Sequence, residues 1–254
     1  MVRCRLDQLL VERGLAESRA KAQAIILAGQ VFSGERRLDK PGQTLAADAP
    51  LELRGTNSPY VSRGGLKLAH GLDHFRIDPA GMVALDLGAS TGGFSDVLVQ
   101  RGTTKVYAVD VGHGQLDWRL RNEPKVVVLE RTNARHLNRD LIPEPVDLVV
   151  ADMSFISLRL ALPAALQLAG PDASMIAPIK PQFEVGKGEV GKGGVVRDPA
   201  LHQRVCDEIA RWLTVEQGWA VLGVTASPIT GPKGNREFLI AARRRDLAKP
   251  GPTV

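Results

Sequence analysis

Apolar residues fall into short runs separated by stretches of helical period over most of the chain. The run at 83–87 contains an acid, Asp86, and turns through Gly88-Ala89-Ser90-Thr91-Gly92-Gly93 into a helical pattern at 94–100. This reads as a buried strand, a tight loop and a helix N-terminus. Similar runs follow at 105–110, 126–129, 146–152, 173–179, 220–225 and 237–242. Helical periods lie among them at 158–168 and 199–212, and an apolar helix with Leu68, Leu72 and Phe75 precedes the first run. Strands and helices in this order predict an α/β fold, a Rossmann-like doubly wound sheet with helices on both faces.

The first sixty or so residues have a different texture. Leu6, Leu9, Leu10 and Arg13 share a helical spacing over 3–14, with Gly14 as a C-cap. A second helix starts near Glu17, keeps its period through Ala22, Ile25 and Ile26, and closes at Gly29. Short strands begin at Val31 and Phe32, with a turn at Pro41-Gly42 and an apolar pair at Leu51 and Leu53. Residues 54–59 are rich in Gly, Asn, Ser and Pro and mark a boundary. The expected organisation is a small α+β domain over 1–57, a linker at 58–61, a large domain over 62–246 and a tail at 247–254.

The chain has 254 residues, enough for one large and one small core, and a net charge of +5. Residues 1–65 hold ten Lys/Arg against seven Asp/Glu, clustered at Arg3, Arg5, Arg13, Arg19, Lys21, Arg36, Arg37 and Lys40. Such a run is either a solvated surface or a phosphate-binding face. Cys4 and Cys206 have no metal-ligand spacing, so neither a disulfide framework nor a metal site is expected. Residues 1–14 are charged throughout and lack the apolar core of a secretory signal, and no run approaches membrane-spanning length. The expected setting is cytoplasmic, with no membrane partner.

Candidate chemistry gathers at strand ends. Gly88, Gly92 and Gly93 allow close approach of backbone to a ligand. Asp86 ends its strand in a negative charge, and Asp110, one βαβ step on, suits ribose hydroxyls. The loop lacks G-x-G-x-x-G, so a dinucleotide is disfavoured. An acid there suits the cationic sulfonium of S-adenosylmethionine; a glycine-rich turn of no special function is the alternative. Asn133 follows the third strand of the sheet, where a polar side chain can edge an adenine ring. His113 lies in a loop, as a base or a bystander. Asp152 and Lys180 close neighbouring strands of a parallel sheet, which brings them into one cleft as either catalytic groups or a structural ion pair, and Glu237, which begins the last strand, adds a second carboxylate. Lys67 interrupts an apolar helix, as a snorkelling lysine would. The long glycine-rich loop at 180–198 is not a P-loop. Asp152-Met153-Ser154-Phe155 is not the Asn/Asp-Pro-Pro-aromatic of base-amine methyltransferases, and no cysteine sits where a cytosine C5 enzyme needs one.

Two resemblances sharpen this. Arg5-Leu6-Asp7, Leu9-Leu10, Gly14-Leu15, Ser18-Arg19, Lys21-Ala22, Ile26 and Gly29-Gln30-Val31 resemble the S4 RNA-binding domain. Residues 60–242 resemble the FtsJ-type ribose 2′-O-methyltransferases, whose Lys-Asp-Lys-Glu tetrad matches Lys67, Asp152, Lys180 and Glu237. Together with Asp-Val-Gly-His-Gly-Gln-Leu, Glu-Arg-Thr-Asn-Ala-Arg and Lys-Pro-Gln-Phe-Glu-Val-Gly-Lys, nearly the whole chain is similar to the TlyA family of 16S/23S rRNA cytidine-2′-O-methyltransferases, also labelled haemolysins. The linker departs from the family's frequent Arg-Xaa-aromatic-Val, reading Ser58-Pro59-Tyr60-Val61.

The resemblance implies S-adenosylmethionine as cofactor, held by Asp86, Gly88, Ser90, Thr91, Gly92, Gly93, Asp110, Asn133 and Asp152. It implies ribosomal RNA in 30S or 50S subunits as partner, contacted by Arg3, Arg5, Arg19, Lys21, Arg63 and Phe155. No metal is required. Lys180 would act as base and Lys67 would assist it, since a 2′-hydroxyl attacks only once deprotonated. Phe155 would stack on a splayed-out base, unless it is a core aromatic. The rival classes are a binding-only ribosome factor of the same fold and a membrane-active haemolysin.

Overall fold

The computed structural model describes residues 3–27, 29–34, 36–53 and 59–244, without the side chains of Lys187 and Pro232. They form two units, divided between Pro59 and Tyr60. Most of the expected boundary segment, at 54–58, and the expected tail at 247–254 lie outside the described residues.

In the first unit, β1 (Arg3–Arg5) leads into α1 (Leu6–Glu12) and α2 (Arg19–Leu27). Then come β2 (Val31–Ser33), β3 (Arg36–Arg37), β4 (Thr44–Ala46) and β5 (Glu52–Leu53). The first helix is shorter than its apolar period predicts. Residues 3–5 are instead a strand, antiparallel to β4, because Leu6 and Asp7 donate their backbone N–H groups to Gln43 and Pro41 rather than into a helix. The helix stops where Gly14 turns at φ +68°. The second helix starts late because Ser18 caps it, its Oγ accepting from Lys21 N at 3.2 Å. Leu6, Leu10, Ala22, Ile26, Val31 and Leu38 form the core.

The second unit opens with α3 (Gly64–Phe75), β6 (Val83–Leu87), α4 (Gly93–Gln100), β7 (Lys105–Val109), α5 (Trp118–Arg121), β8 (Val126–Leu129) and β9 (Val146–Ala151). It continues with α6 (Leu158–Ala161), α7 (Pro163–Leu168), β10 (Ala169–Ile179), α8 (Pro181–Glu184), α9 (Pro199–Val215), β11 (Trp219–Ala226) and β12 (Phe238–Arg244). Seven of these strands form one sheet, in the order β11-β12-β10-β9-β6-β7-β8. The run from β10 to β8 is parallel, and β12 enters antiparallel between β10 and β11.

Both faces of the sheet are covered, so its strands are apolar throughout rather than alternating. Leu85, Leu87, Val149 and Met175 pack under α6, α7 and α9; Ala84, Val106, Val150 and Ile176 pack under α3 and α4. The helix expected at 158–168 is two pieces, because Pro163 has no N–H to continue the first. The strand expected at 173 starts at Ala169 and crosses an irregularity before Ser174. The order of strands reverses at β6, between β7 and β9, and that is where ligands of open α/β sheets bind.

Candidate active site

Four charged side chains from four segments meet at the carboxyl ends of β9 and β10. Asp152 follows β9, Lys180 follows β10, and Glu237 precedes β12. Because β12 runs antiparallel, Phe238 pairs with Ile179, and that register sets Glu237 close to Lys180. Lys67 comes from α3. Gly71, one turn further along, lets that helix settle on the sheet, where a β-carbon would meet Ile176 Cγ2 at 3.1 Å. Residues four apart share a helix face, so Lys67 points the same way.

The four form a chain of ion pairs. Lys180 Nζ lies 2.6 Å from Asp152 Oδ1, and Lys67 Nζ lies 3.2 Å from Asp152 Oδ2 and 2.6 Å from Glu237 Oε2. Lys180 also donates to Ser154 Oγ at 3.0 Å. Both lysine side chains are only 8 % exposed, so the snorkelling expected for Lys67 is not what it does. Burial alone would lower the Lys67 pKa, but Asp152 and Glu237 outweigh it and raise it above the ordinary lysine value. Burial works to raise Asp152, yet Lys67 and Lys180 hold it below the ordinary carboxylate value. Lys67 is thus held as an ammonium between two carboxylates. Lys180 shares only one of them, and an ammonium has three hydrogens to place.

A cleft of about 380 Å³ opens beside Lys180 and Glu237, lined also by Phe155, Gln182, Phe183 and Lys233. Phe155 is not a core aromatic. It is 90 % exposed, has φ +64°, and sits with its ring centroid 5.1 Å from that of Phe183. A non-glycine residue in that region is strained and needs its surroundings to hold it there.

The glycine loop lies between β6 and α4. Ser90 and Thr91 are exposed, while Gly92 and Gly93 are buried. A β-carbon on Gly92 would overlap Leu120, and one on Gly93 would overlap Ser62. On Gly88, at φ +78°, it would meet Asp152 O at 3.0 Å and Met153 Sδ at 3.1 Å. These glycines therefore answer to packing within the protein. Asp110 accepts from Ser90 N at 2.8 Å and Gly112 N at 2.6 Å, fixing the loop while lone pairs remain. Asp86 is fully buried, with Oδ2 accepting from Ser95 Oγ at 2.7 Å and no hydrogen-bond partner at Oδ1 among the described residues. Burial pushes its pKa up to about 7, with Ser95 opposing and the charges of Asp152 and Asp110 adding. Asn133 Oδ1 caps the turn at Ala134–His136 by accepting from Arg135 N. His113 Nδ1 is 2.8 Å from Glu130 Oε2, so its ring is committed to that carboxylate.

Of the expected RNA contacts, Arg63 is exposed at the start of α3. Arg3 donates to Thr44 O at 3.0 Å, and Arg5 and Arg19 both reach the buried Asp7. Lys21 is exposed but sits two residues along α2 from Arg19, about 200° round the helix. Sequence reasoning missed Ser154, Phe183 and Asn235. Phe183 lay in the quoted Lys-Pro-Gln-Phe-Glu motif. Asn235 is buried and staples the glycine-rich loop, donating to Gly194 O at 3.0 Å and accepting from Val196 N at 3.1 Å.

A sheet of this order, with a glycine loop after β6, an acid near the end of β6 and another just after β7, defines an α/β methyltransferase. The FtsJ-like methyltransferase family matches residues 60–244, and the S4 domain matches residues 4–49. The 16S/23S rRNA (cytidine-2′-O)-methyltransferase TlyA of Mycobacterium tuberculosis is 50 % identical over 242 residues, 95 % of this chain and 90 % of that one. Hemolysin A of Brachyspira hyodysenteriae is 39 % identical over 236 residues, 92 % of this chain and 98 % of its own. A solved structure from Streptococcus thermophilus with a hemolysin label superposes with a TM-score of 0.76 at 39 % identity, covering 97 % of this chain and 90 % of that one. The chain belongs to the FtsJ-like methyltransferases, with an S4 domain ahead of the enzyme domain.

Proposed function

We propose that the protein methylates the ribose 2′-hydroxyl of a cytidine in ribosomal RNA, with S-adenosylmethionine as methyl donor. The observation that carries this is the chain of ion pairs Glu237–Lys67–Asp152–Lys180 beside an exposed Phe155. The choice of cytidine and of ribosomal RNA follows the TlyA relative.

The residues present fit the cofactor. The loop at 88–93 carries no Lys or Arg and is flanked by Asp86 and Asp110, which suits a sulfonium and ribose hydroxyls and would repel a pyrophosphate. Asp86, two residues before that loop, keeps a buried oxygen without a hydrogen-bond partner among the described residues. Asp86, Asp110, Asn133 and the backbone of Gly88 to Gly93 would hold it, and S-adenosylmethionine, when bound, supplies the methyl group from its sulfonium.

The chain's own residues do the rest. Lys180, in its neutral form, takes the 2′-hydroxyl proton at Nζ, using the position not committed to Asp152 and Ser154. Lys67 stays charged and steadies the oxygen as its negative charge develops. Asp152 spaces the two amines, and Glu237 fixes Lys67. Phe155 stacks on the target base, which must leave its neighbours to bring the ribose into the cleft. Positioning supplies much of the rate in a single displacement of this kind.

The test is methyl transfer from labelled S-adenosylmethionine to unmodified 30S and 50S subunits, with the product nucleotide mapped by mass spectrometry. Label on a cytidine ribose is the expected outcome; label on a base, or none with cofactor binding intact, overturns the reading. Some of the similar proteins carry hemolysin labels. Among the described residues no helix is long and apolar enough to cross a membrane.

A further inference from the structure

Asp7 is fully buried at the first turn of α1, yet most of its partners are at the surface. Arg5 grips it as a fork, with Nε 3.0 Å from Oδ1 and Nη2 3.0 Å from Oδ2. Arg19, at the start of α2, donates Nε to Oδ2 at 3.0 Å, and Gln23, one turn on, donates Nε2 to the same oxygen at 3.0 Å. The Gln8 backbone N–H donates to Oδ1 at 3.0 Å. Two arginines from different segments are thereby tied to one carboxylate. Their side chains are still 42 % and 52 % exposed. Arg5 keeps Nη1, and Arg19 keeps both Nη groups, without a hydrogen-bond partner among the described residues.

We propose that Asp7 is a positioning residue, which locks Arg5 and Arg19 into one rigid pair whose remaining guanidinium hydrogens grip RNA phosphates. This rests on the reading of the protein as an rRNA methyltransferase that binds RNA through its S4 domain. An acid between two arginines weakens their field, so simple electrostatics gives no reason for it on a phosphate-binding surface. Preorganisation does. A free arginine loses rotamer freedom when it binds, whereas one already held by its Nε has little left to lose. Lys21, about 200° round α2 from Arg19, lacks such a tether and contributes charge without geometry.

The two effects have opposite signs, and that makes the proposal testable. Asp7→Asn raises the net charge by one and keeps the shape. If charge ruled, it would bind unmodified 30S and 50S subunits more tightly. The proposal expects binding on the order of tenfold weaker and a shallower dependence on monovalent salt at fixed magnesium, because fewer phosphates are gripped at once. Tighter or equal binding with an unchanged salt slope, by a variant that is folded, overturns it.

A second comparison covers the case in which Asp7→Asn does not fold. Arg5→Lys and Arg19→Lys keep the charge but lose the fork. Acting through a shared tether, their losses should combine to less than the sum; strictly additive losses overturn the proposal. The double variant with glutamine at both positions checks the underlying reading separately. If it binds subunits like the parent chain, these arginines do not face RNA at all, and it is the RNA-face reading that fails.

Discussion

The two units both bury a carboxylate between cations, and they do it in opposite ways. In the S4 unit the acid is inside and the cations are out: Asp7 is fully buried while Arg5 and Arg19 keep much of their surface in water. In the methyltransferase unit the cations are inside too, with the side chains of Lys67 and Lys180 only 8 % exposed. On the proposed RNA face charge is presented outward and fixed in place, which suits arginine, since it stays charged. In the proposed mechanism the amines are shielded from water and one of them exchanges a proton, a role that lysine can fill and arginine cannot. Asp86 supplies a third case, a buried carboxylate that accepts from Ser95 and has no cation in contact among the described residues. Its pKa rises to about 7, whereas Asp7 and Asp152 are held low.

The largest expected effect comes from deleting the amine that serves as base in the proposed mechanism. Lys180→Ala should lower methyl transfer by roughly 10²–10⁴-fold while S-adenosylmethionine and RNA still bind, measured by single-turnover transfer alongside calorimetry. Full activity would remove Lys180 from the base role. Next is Asp152→Asn, which takes from Lys180 the one carboxylate it pairs with among the described residues and leaves Lys67 with Glu237 alone. Unfolding should become easier by about 3–5 kcal/mol, the usual consequence of breaking a buried pair, and chemical denaturation of the full chain reads it out. A loss below about 1 kcal/mol would mean that water screens the cluster far better than its burial implies.

Asp86→Asn sharpens the comparison through pH. The folded pKa of about 7 lies above the ordinary carboxylate value of about 3.9. The folded state therefore keeps a proton that the unfolded chain has lost. The contribution is fully present below about pH 4 and is lost as pH rises through 7, at about 1.4 kcal/mol per unit in between. Replacing the acid by its neutral isostere should remove that slope from a melting series between pH 5 and 7. Asp7 and Asp152 work the other way, contributing stability above their unfolded value that is lost as pH falls through the folded one.

Much of this was legible beforehand, and the parts that were not share a cause. The strand runs ending at Asp110 and Asp152 and the loop at Gly88 were plain, because period and punctuation are local signals. The tetrad came from motif resemblance, not from spacing. Nothing local says that Glu237 lies beside Lys180; that needs β12 to enter the sheet antiparallel next to β10, and strand order is a long-range property. The Asp7 cluster was hidden similarly, since Arg5 and Arg19 meet it from two segments. The strand Arg3–Arg5 is too short to show a period. Pro163 is different: the break it makes between α6 and α7 was visible in the chain and overridden by the apolar pattern around it.

Phe155 carries a consequence for anyone who would improve this protein. Its backbone sits at φ +64° with the ring held out in solvent, an arrangement that works against folding by about 1–3 kcal/mol. Phe155→Gly would relax it, so the variant should melt at the same or a higher temperature than its parent while transferring methyl groups more slowly. A selection for heat resistance alone would thus favour discarding the ring. On the proposed stacking role, thermostability and catalysis pull against each other at this one residue, and a screen that scores only the survivors of heating would enrich chains that fold well and modify little.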